Sequence, residues 1–293
     1  MQNLDIMAAS GTAMSGHFSA YSFVDRITEV EPGKRARGRY LVPARIARFP
    51  ASFALEAAGQ LAAWAAMAQF DFQLRPVAGL AGDLRFGRDV LPGQTLDLAV
   101  EIETCEQDAV SYSARAEVDG ALIVEIDHSV GPFLPMEEFD SAAAVRERFE
   151  LIRGTGAPAG RFKGVAEHDL EVVEHVRGER IVAAFRVPRE AAFFSDHFPR
   201  RPVMPATLLL DAQIQLSLQL ANASHTWPLD AQLVATGVPE MKQRSFIPPG
   251  EVLELSIEST NLDGVKGTAR TGVRMNGKSI ARGLIEIEPR TGE

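Results

Sequence analysis

The sequence predicts an α+β protein made of two copies of one unit, each a buried helix wrapped by a mainly antiparallel sheet. Three observations predict it: an internal repeat, a strongly apolar helical segment in each copy, and period-two strand patterns after each helix.

The repeat is anchored on "FPASFALEAAGQLAAW" (49–64) and "MPATLLLDAQIQLSLQ" (204–219). Pro50 and Pro205, Ser52 and Thr207, Glu56 and Asp211, and Gln60 and Gln215 share one offset of 155. Downstream, Pro92-Gly93 faces Pro249-Gly250 and Asp119-Gly120 faces Asn276-Gly277, both at 157. Upstream, Pro43 faces Pro188 at 145. Four anchors in one order imply duplication. The units are expected over 18–137 and 163–290, with a connector at 138–162.

Each unit opens with two short strands, expected near Tyr21–Val30 and Arg35–Val42, then near Asp169–Val176 and Arg180–Val187. The helices follow at about Ser52–Phe70 and Thr207–Ala221. They are apolar on nearly every face (Phe53, Leu55, Ala58, Leu61, Trp64 in the first), which marks a buried helix. Four strands then run to the end of each unit. Leu96, Leu98, Val100 and Ile102 alternate with Asp97, Ala99 and Glu101, as do Leu253, Leu255 and Ile257 with their polar neighbours. Asp119-Gly120 and Asn276-Gly277 favour tight hairpins whose central residues both take positive φ. In the connector, Ala144, Val145, Phe149 and Leu151 suggest a covering helix, followed by a Gly- and Pro-rich linker.

The chain has 293 residues, 46% hydrophobic and 24% charged, with a formal charge of −9. Wholesale disorder is excluded, and the acidic balance argues against nucleic acid and against adhesion to anionic membrane. One cysteine, Cys105, permits no intramolecular disulfide. Residues 1–16 lack the basic and apolar regions of a secretory leader, and no apolar run is long enough to span a bilayer, so a reduced, cytoplasmic protein is expected. The six histidines show no metal-ligand spacing with Cys or paired acids.

One histidine stands out. "FFSDHFPRRPVMPATLLLD" (193–211) puts His197 just before the second helix and fourteen residues from Asp211. This segment resembles the active-site stretch of the hot-dog-fold β-hydroxyacyl-carrier-protein dehydratases: His-Phe-Pro, then Pro-Val-Met-Pro, then a helix bearing Glu or Asp. "SFVDRITEVEPGKRARGRYLVP" is similar to that family's first hairpin, and "DLRFGRDVLPGQTLDL" and "MKQRSFIPPGEVLEL" to its later strand-turn-strand. The resemblance spans about Phe18–Val130 and Lys163–Glu288 and implies a tandem hot-dog. One departure is Ala206, with Ala51 in the first unit, where the family usually has Gly after the helix-starting Pro.

The two copies differ where it matters. Pro43 to Pro50 is ten residues shorter than Pro188 to Pro205, and the gap falls on the counterpart of the His-Phe-Pro loop. In the family's homodimers, the histidine of one subunit pairs with the carboxylate of the other. The resemblance therefore implies one working site, His197 with Glu56, and one vestigial acid, Asp211. It implies dehydration of 3-hydroxyacyl thioesters to trans-2-enoyl thioesters, as in fatty acid or polyketide biosynthesis. His197 would take the α-proton and Glu56 would protonate the leaving hydroxyl. Backbone N–H groups of Ala206 and Thr207, or of Ala51 and Ser52, would meet the thioester oxygen. Gln60 is one turn from Glu56 and can support it. No metal or cofactor is needed. The substrate would ride on an acyl carrier protein or coenzyme A, with Arg200, Arg201, Lys242 and Arg244 candidates for its phosphate. A pseudo-dimer within one chain is expected, and further homodimerisation is left open. The alternatives are a hot-dog thioesterase, which typically relies on a helix carboxylate without the His-Phe-Pro loop, and a non-catalytic module that binds an acyl carrier.

Overall fold

The structure is a computed structural model that describes residues 18, 20–158, 161–228 and 230–290. The reading of residues 1–16 as lacking a leader lies outside them.

Both copies build the expected layers. In the first, strands β1 (Arg26–Glu31) and β2 (Arg35–Leu41) precede helix α1 (Ala51–Gln69). Strands β3 (Leu74–Pro76), β4 (Leu80–Phe86), β5 (Thr95–Cys105), β6 (Ala109–Val118) and β7 (Ala121–Pro135) follow. Helix α2 (Ala142–Arg153) lies in the connector. The second copy comprises β8 (Leu170–Val176), β9 (Arg180–Arg186), α3 (Ala206–Ala223), β10 (Leu233–Gln243), β11 (Val252–Leu262), β12 (Gly267–Met275) and β13 (Lys278–Pro289). The strand order β1-β2-β5-β6-β7-β4-β10-β13-β12-β11-β9-β8 makes one antiparallel sheet, with β3 paired to β7.

The copies join edge to edge. β4 pairs with β10 in the register Val238↔Leu84 and Met241↔Ala81, which removes an edge strand from each unit. Gly237 sits at this seam, where a Cβ would come within 2.9 Å of the Leu84 carbonyl oxygen. Helices α1 and α3 pack on each other and on the sheet. Pro50 and Pro205 start them with φ of −67° and −58°, the value a proline ring imposes and a helix start accepts. Phe53, Leu61 and Met67 of α1 and Leu209 and Leu216 of α3 are buried, each worth about 1.5–3 kcal/mol of transfer free energy. Both hairpin dipeptides take positive φ: 52° and 78° at Asp119-Gly120, 51° and 74° at Asn276-Gly277.

Three local expectations change. The first strand begins at Arg26 rather than Tyr21, because the backbone of Tyr21–Phe23 is engaged by side chains: Tyr21 N–H donates to Asp196 at 2.9 Å and Phe23 N–H to Gln60 at 2.8 Å. The first copy carries an extra short strand, β3. Helix α2 covers the sheet with Val145, Phe149 and Ile152, while Leu151 is only half-buried and Arg148 lies on the buried side. The linker beyond α2 returns to the first copy, where Phe162 packs edge-on against Phe23 at 5.0 Å and Phe53 at 5.9 Å.

Candidate active site

Helix α1 presents Glu56 one turn before Gln60, and the i+4 spacing lets Gln60 Nε2 donate to Glu56 Oε1 at 2.9 Å. Gln60 has its orientation fixed by its other bonds. Its Oε1 accepts from Phe23 N–H, and its Nε2 also donates to the Tyr21 carbonyl at 2.8 Å. Thr207, in the first turn of α3, reaches across the seam and donates from Oγ1 to Glu56 Oε2 at 2.6 Å. With that proton committed, Thr207 Oγ1 accepts from the Tyr21 hydroxyl at 2.9 Å. A relay Tyr21–Thr207–Glu56 thus links the two copies. Burial, with Glu56 adding to it, raises the Tyr21 phenol well above its ordinary value, so it stays a donor.

His197 follows a short 3-10 turn, Ala192–Ser195. Its N–H donates to the Phe193 carbonyl at 2.9 Å, and its own carbonyl accepts from Val203 N–H at 3.0 Å, which closes the loop. His197 Nδ1 lies 3.3 Å from the Val203 carbonyl oxygen. A carbonyl can only accept, so Nδ1 carries the proton and Nε2 keeps the lone pair. Burial pushes His197 below its ordinary value; the Glu56 charge opposes this and the Arg75 charge reinforces it. A neutral imidazole with a free Nε2 is the form a base requires. The neighbouring Asp196 accepts from the N–H groups of Phe18, Ala20 and Tyr21 at 3.2, 3.0 and 2.9 Å. It holds Tyr21, whose ring meets that of His197 edge-on at 6.2 Å.

Glu56, His197, Tyr21, Ala206 and Thr207 line one cavity of about 450 Å³, with Leu55, Ala62, Met67, Leu84 and Ile126 among its apolar walls. No side chain caps α3, and the N–H groups of Ala206 and Thr207 have no acceptor among the described residues. They form a helix N-terminus open to an anionic oxygen. Ala51 and Ser52, offered by the sequence as an alternative pair, are not on the cavity wall. They start the helix that follows the shortened loop, and Ser52 Oγ is buried without a partner among the described residues.

Asp211 does not face this cavity's chemistry. Arg48, in the shortened loop itself, donates from Nη2 to Oδ2 at 2.7 Å and from Nη1 to Oδ1 at 3.2 Å. His168 Nε2 and Gln215 Nε2 each lie 2.9 Å from Oδ2. Burial opposes ionisation of Asp211, but the bonds from His168 and Arg48 outweigh it and hold the carboxyl below the usual range.

The four cations assigned to a phosphate divide. Arg244 lines the cavity; Arg200, Arg201 and Lys242 do not. Arg200 donates to the Glu137 carbonyl at 3.1 Å, and Arg201 pairs with Glu138 while its guanidinium packs 4.4 Å over the Phe246 ring. These two contacts tie the His-Phe-Pro loop to the turn Met136–Glu138 that follows β7. Sequence reasoning missed Tyr21, Asp196, Arg48, His168 and Arg75. Asp196, next to His197, was the one with an available signal.

Two such units sharing one cavity define a tandem hot-dog protein. A family model described as the FabA-like domain matches residues 166–283, within the second copy. The 3-hydroxyacyl-[acyl-carrier-protein] dehydratase FabZ of Clostridium botulinum (strain Loch Maree / Type A3) is 31% identical over 111 residues, 38% of this chain and 76% of that protein. Its namesake from Myxococcus xanthus (strain DK1622) is 32% identical over 113 residues, 38% of this chain and 74% of that protein. The chain belongs to this hot-dog dehydratase family. Among solved structures, the tesB protein of Mycobacterium avium subs paratuberculosis superposes with a TM-score of 0.57 at 14% identity, covering 90% of this chain and 96% of that one. An acyl-ACP thioesterase from Bacteroides thetaiotaomicron VPI-5482 does so at 0.54 and 9%, covering 87% and 98%. Those likenesses establish the fold.

Proposed function

We propose that the chain is a 3-hydroxyacyl-thioester dehydratase with one active site, built by units 18–137 and 163–290 acting as a single catalytic body around connector 138–162. The observation that carries the reading is the shared cavity: Glu56 from one copy, and His197 with the open N-terminus of α3 from the other. His197 Nε2 takes the α-proton. The electron pair moves onto the thioester oxygen, which meets the N–H groups of Ala206 and Thr207. The pair then returns, the bond from Cβ to oxygen breaks, and the hydroxyl leaves as water with a proton from the protonated form of Glu56; the proton held by His197 then returns to Glu56 and closes the cycle. Thr207 and Gln60 keep that carboxyl aimed, and the same groups run hydration in reverse. Asp211, sequestered by Arg48 and His168, takes no part.

The substrate proposed is an acyl thioester of a carrier protein or coenzyme A, in fatty acid or polyketide synthesis, with Arg244 the cation best sited for the carrier arm. A cytoplasmic setting is part of the reading, supported by the lone Cys105, which has no intrachain disulfide partner. No described helix is long and apolar enough to cross a membrane.

A thioesterase is the second reading. It is favoured by the two hydrogen bonds that Glu56 accepts, one at each oxygen, which suit a carboxylate base directed at water. One preparation decides between them. Hydration of a crotonyl thioester is followed by loss of the enoyl absorbance, and hydrolysis by released thiol. Hydration that needs both His197 and Glu56 supports the dehydratase; thiol release that needs only Glu56 replaces it with the thioesterase. Binding to an acyl carrier without either reaction leaves the non-catalytic module.

A further inference from the structure

Arg75 is a charged side chain inside the cavity that the proposed reaction does not use. Strand β3 carries it, and it lines the same cavity as Glu56 and His197. Its guanidinium carbon lies 4.0 Å over the Phe198 ring, and Phe198 is stacked on the His197 imidazole at 4.2 Å. Arg75 Nε is buried and has no hydrogen-bond partner among the described residues. Nearby, Arg148 from α2 is paired with Asp140, and both also line the cavity. Asp140 is therefore engaged by Arg148, and no carboxylate among the described residues forms an ion pair with Arg75. Burial, with the Arg148 charge adding to it, pushes Arg75 down to about 10, against upward pulls from Asp140 and Glu56. It remains a cation at neutral pH.

A half-buried guanidinium whose Nε is shut away from solvent without an acceptor is costly unless something supplies one. The cavity is where that acceptor can enter. We propose that Arg75 binds a carboxylate on the acyl group of the substrate, so that the site accepts 3-hydroxyacyl thioesters whose chain carries an acid beyond the reacting carbons. The planar fork of a guanidinium matches a carboxylate, and an apolar wall beside it suits the intervening methylenes. The carrier arm is the other source of an acidic oxygen. Its phosphate lies a full pantetheine length from the sulfur, whereas Arg75 is one aromatic ring away from the base, which favours the acyl side.

The proposal rests on the thioester reading but is tested apart from it. Non-reactive acyl thioether analogues of N-acetylcysteamine, ending in methyl or carboxylate at matched lengths, are titrated into the full chain by calorimetry. At one length the carboxylate analogue should bind about 10- to 100-fold tighter than its methyl partner, the worth of a charge-assisted hydrogen bond. Arg75→Met should remove that preference, so that carboxylate and methyl analogues of each length bind alike. A phosphopantetheine analogue with a methyl-ended chain should lose nothing in Arg75→Met; if it alone weakens, Arg75 reads the arm and the proposal fails. The wild type also overturns it, without any variant, if no carboxylate analogue outbinds its methyl partner. Binding that depends on Arg75 while no dehydration is found would refute the reaction and leave this inference standing.

Discussion

Arg48 closes over Asp211 with both terminal guanidinium nitrogens, Nη2 at 2.7 Å and Nη1 at 3.2 Å. The shorter loop of the first copy, where the second copy has its histidine, supplies this arginine. Oδ2 of Asp211 is taken by Arg48, His168 and Gln215, and Oδ1 by Arg48, so the acid is committed to this cluster and not to the cavity.

Asp211→Asn should therefore keep turnover within about twofold of wild type while lowering stability. Breaking a buried pair by removing one partner costs about 3–5 kcal/mol. Arg48 is 53% exposed, so about 1–3 kcal/mol is expected here. Asp211 is held below its ordinary value of 3.8, so its contribution is present above that value and lost as pH falls through the folded-state pKa. Urea unfolding at pH 7 and at pH 3 should show a smaller gap between the two for Asp211→Asn than for wild type. A dead Asp211→Asn with wild-type stability would assign the reaction to the wrong acid.

His197→Ala and Glu56→Gln should each lower dehydration by about 10²–10⁴-fold, the span of a single general acid or base. Glu56→Gln keeps the shape of the carboxyl, so circular dichroism and melting should stay close to wild type. If either variant retains most of its turnover, the cross-copy pairing is not the active site.

Thr207 is the hydroxyl that joins Tyr21 to Glu56. Thr207→Val should reduce kcat about tenfold and raise KM little, because it frees the carboxyl without emptying the acyl cavity. Thr207→Ser should restore most of the rate. An effect on KM alone would make Thr207 a wall residue.

Much of this arrangement was legible in the sequence. The duplication shows in fixed offsets, the hairpins in Asp119-Gly120 and Asn276-Gly277, and the inequality of the copies in the missing ten residues. What stayed hidden shares a physical cause. Arg48, Arg75 and Arg148 are charged, and a charged residue is read as surface unless its partner is known. Their partners (Asp211, the Phe198 ring and Asp140) lie 163, 123 and 8 residues away, brought together only by folding. Tyr21–Val24 alternates like a strand, and only the side chains of Gln60 and Asp196 show that its backbone is taken elsewhere.

His197 is held below its ordinary value of 6.5. Since the base must be neutral, the acid limb of kcat/KM should fall below pH 6.5. The stability linkage has the opposite benefit: as pH drops below 6.5 the unfolded chain protonates this histidine first, and stability declines until the folded-state pKa is passed. The neighbours set the direction of each variant. Removing the Glu56 charge should lower the His197 titration midpoint further, and removing the Arg75 charge should raise it. Imidazole NMR titration of Glu56→Gln and Arg75→Met reads both without needing activity. Shifts of the reverse sign would mean that the two charges do not face this ring.

The cations around the His-Phe-Pro loop should separate by position. Arg200 bonds the Glu137 carbonyl and Arg201 pairs with Glu138 away from the cavity wall, whereas Arg244 is exposed and on that wall. Arg244→Glu should raise KM for a carrier- or coenzyme A-linked substrate several-fold more than for a short thioester without phosphate. Added salt should shrink that difference, since exposed charges are screened beyond about 8–10 Å. Arg200→Ala and Arg201→Ala should instead lower the melting temperature and affect both substrates alike, because they loosen the loop that holds His197. A phosphate-selective effect in Arg200→Ala or Arg201→Ala, with none in Arg244→Glu, would return the binding role to the pair beside His197.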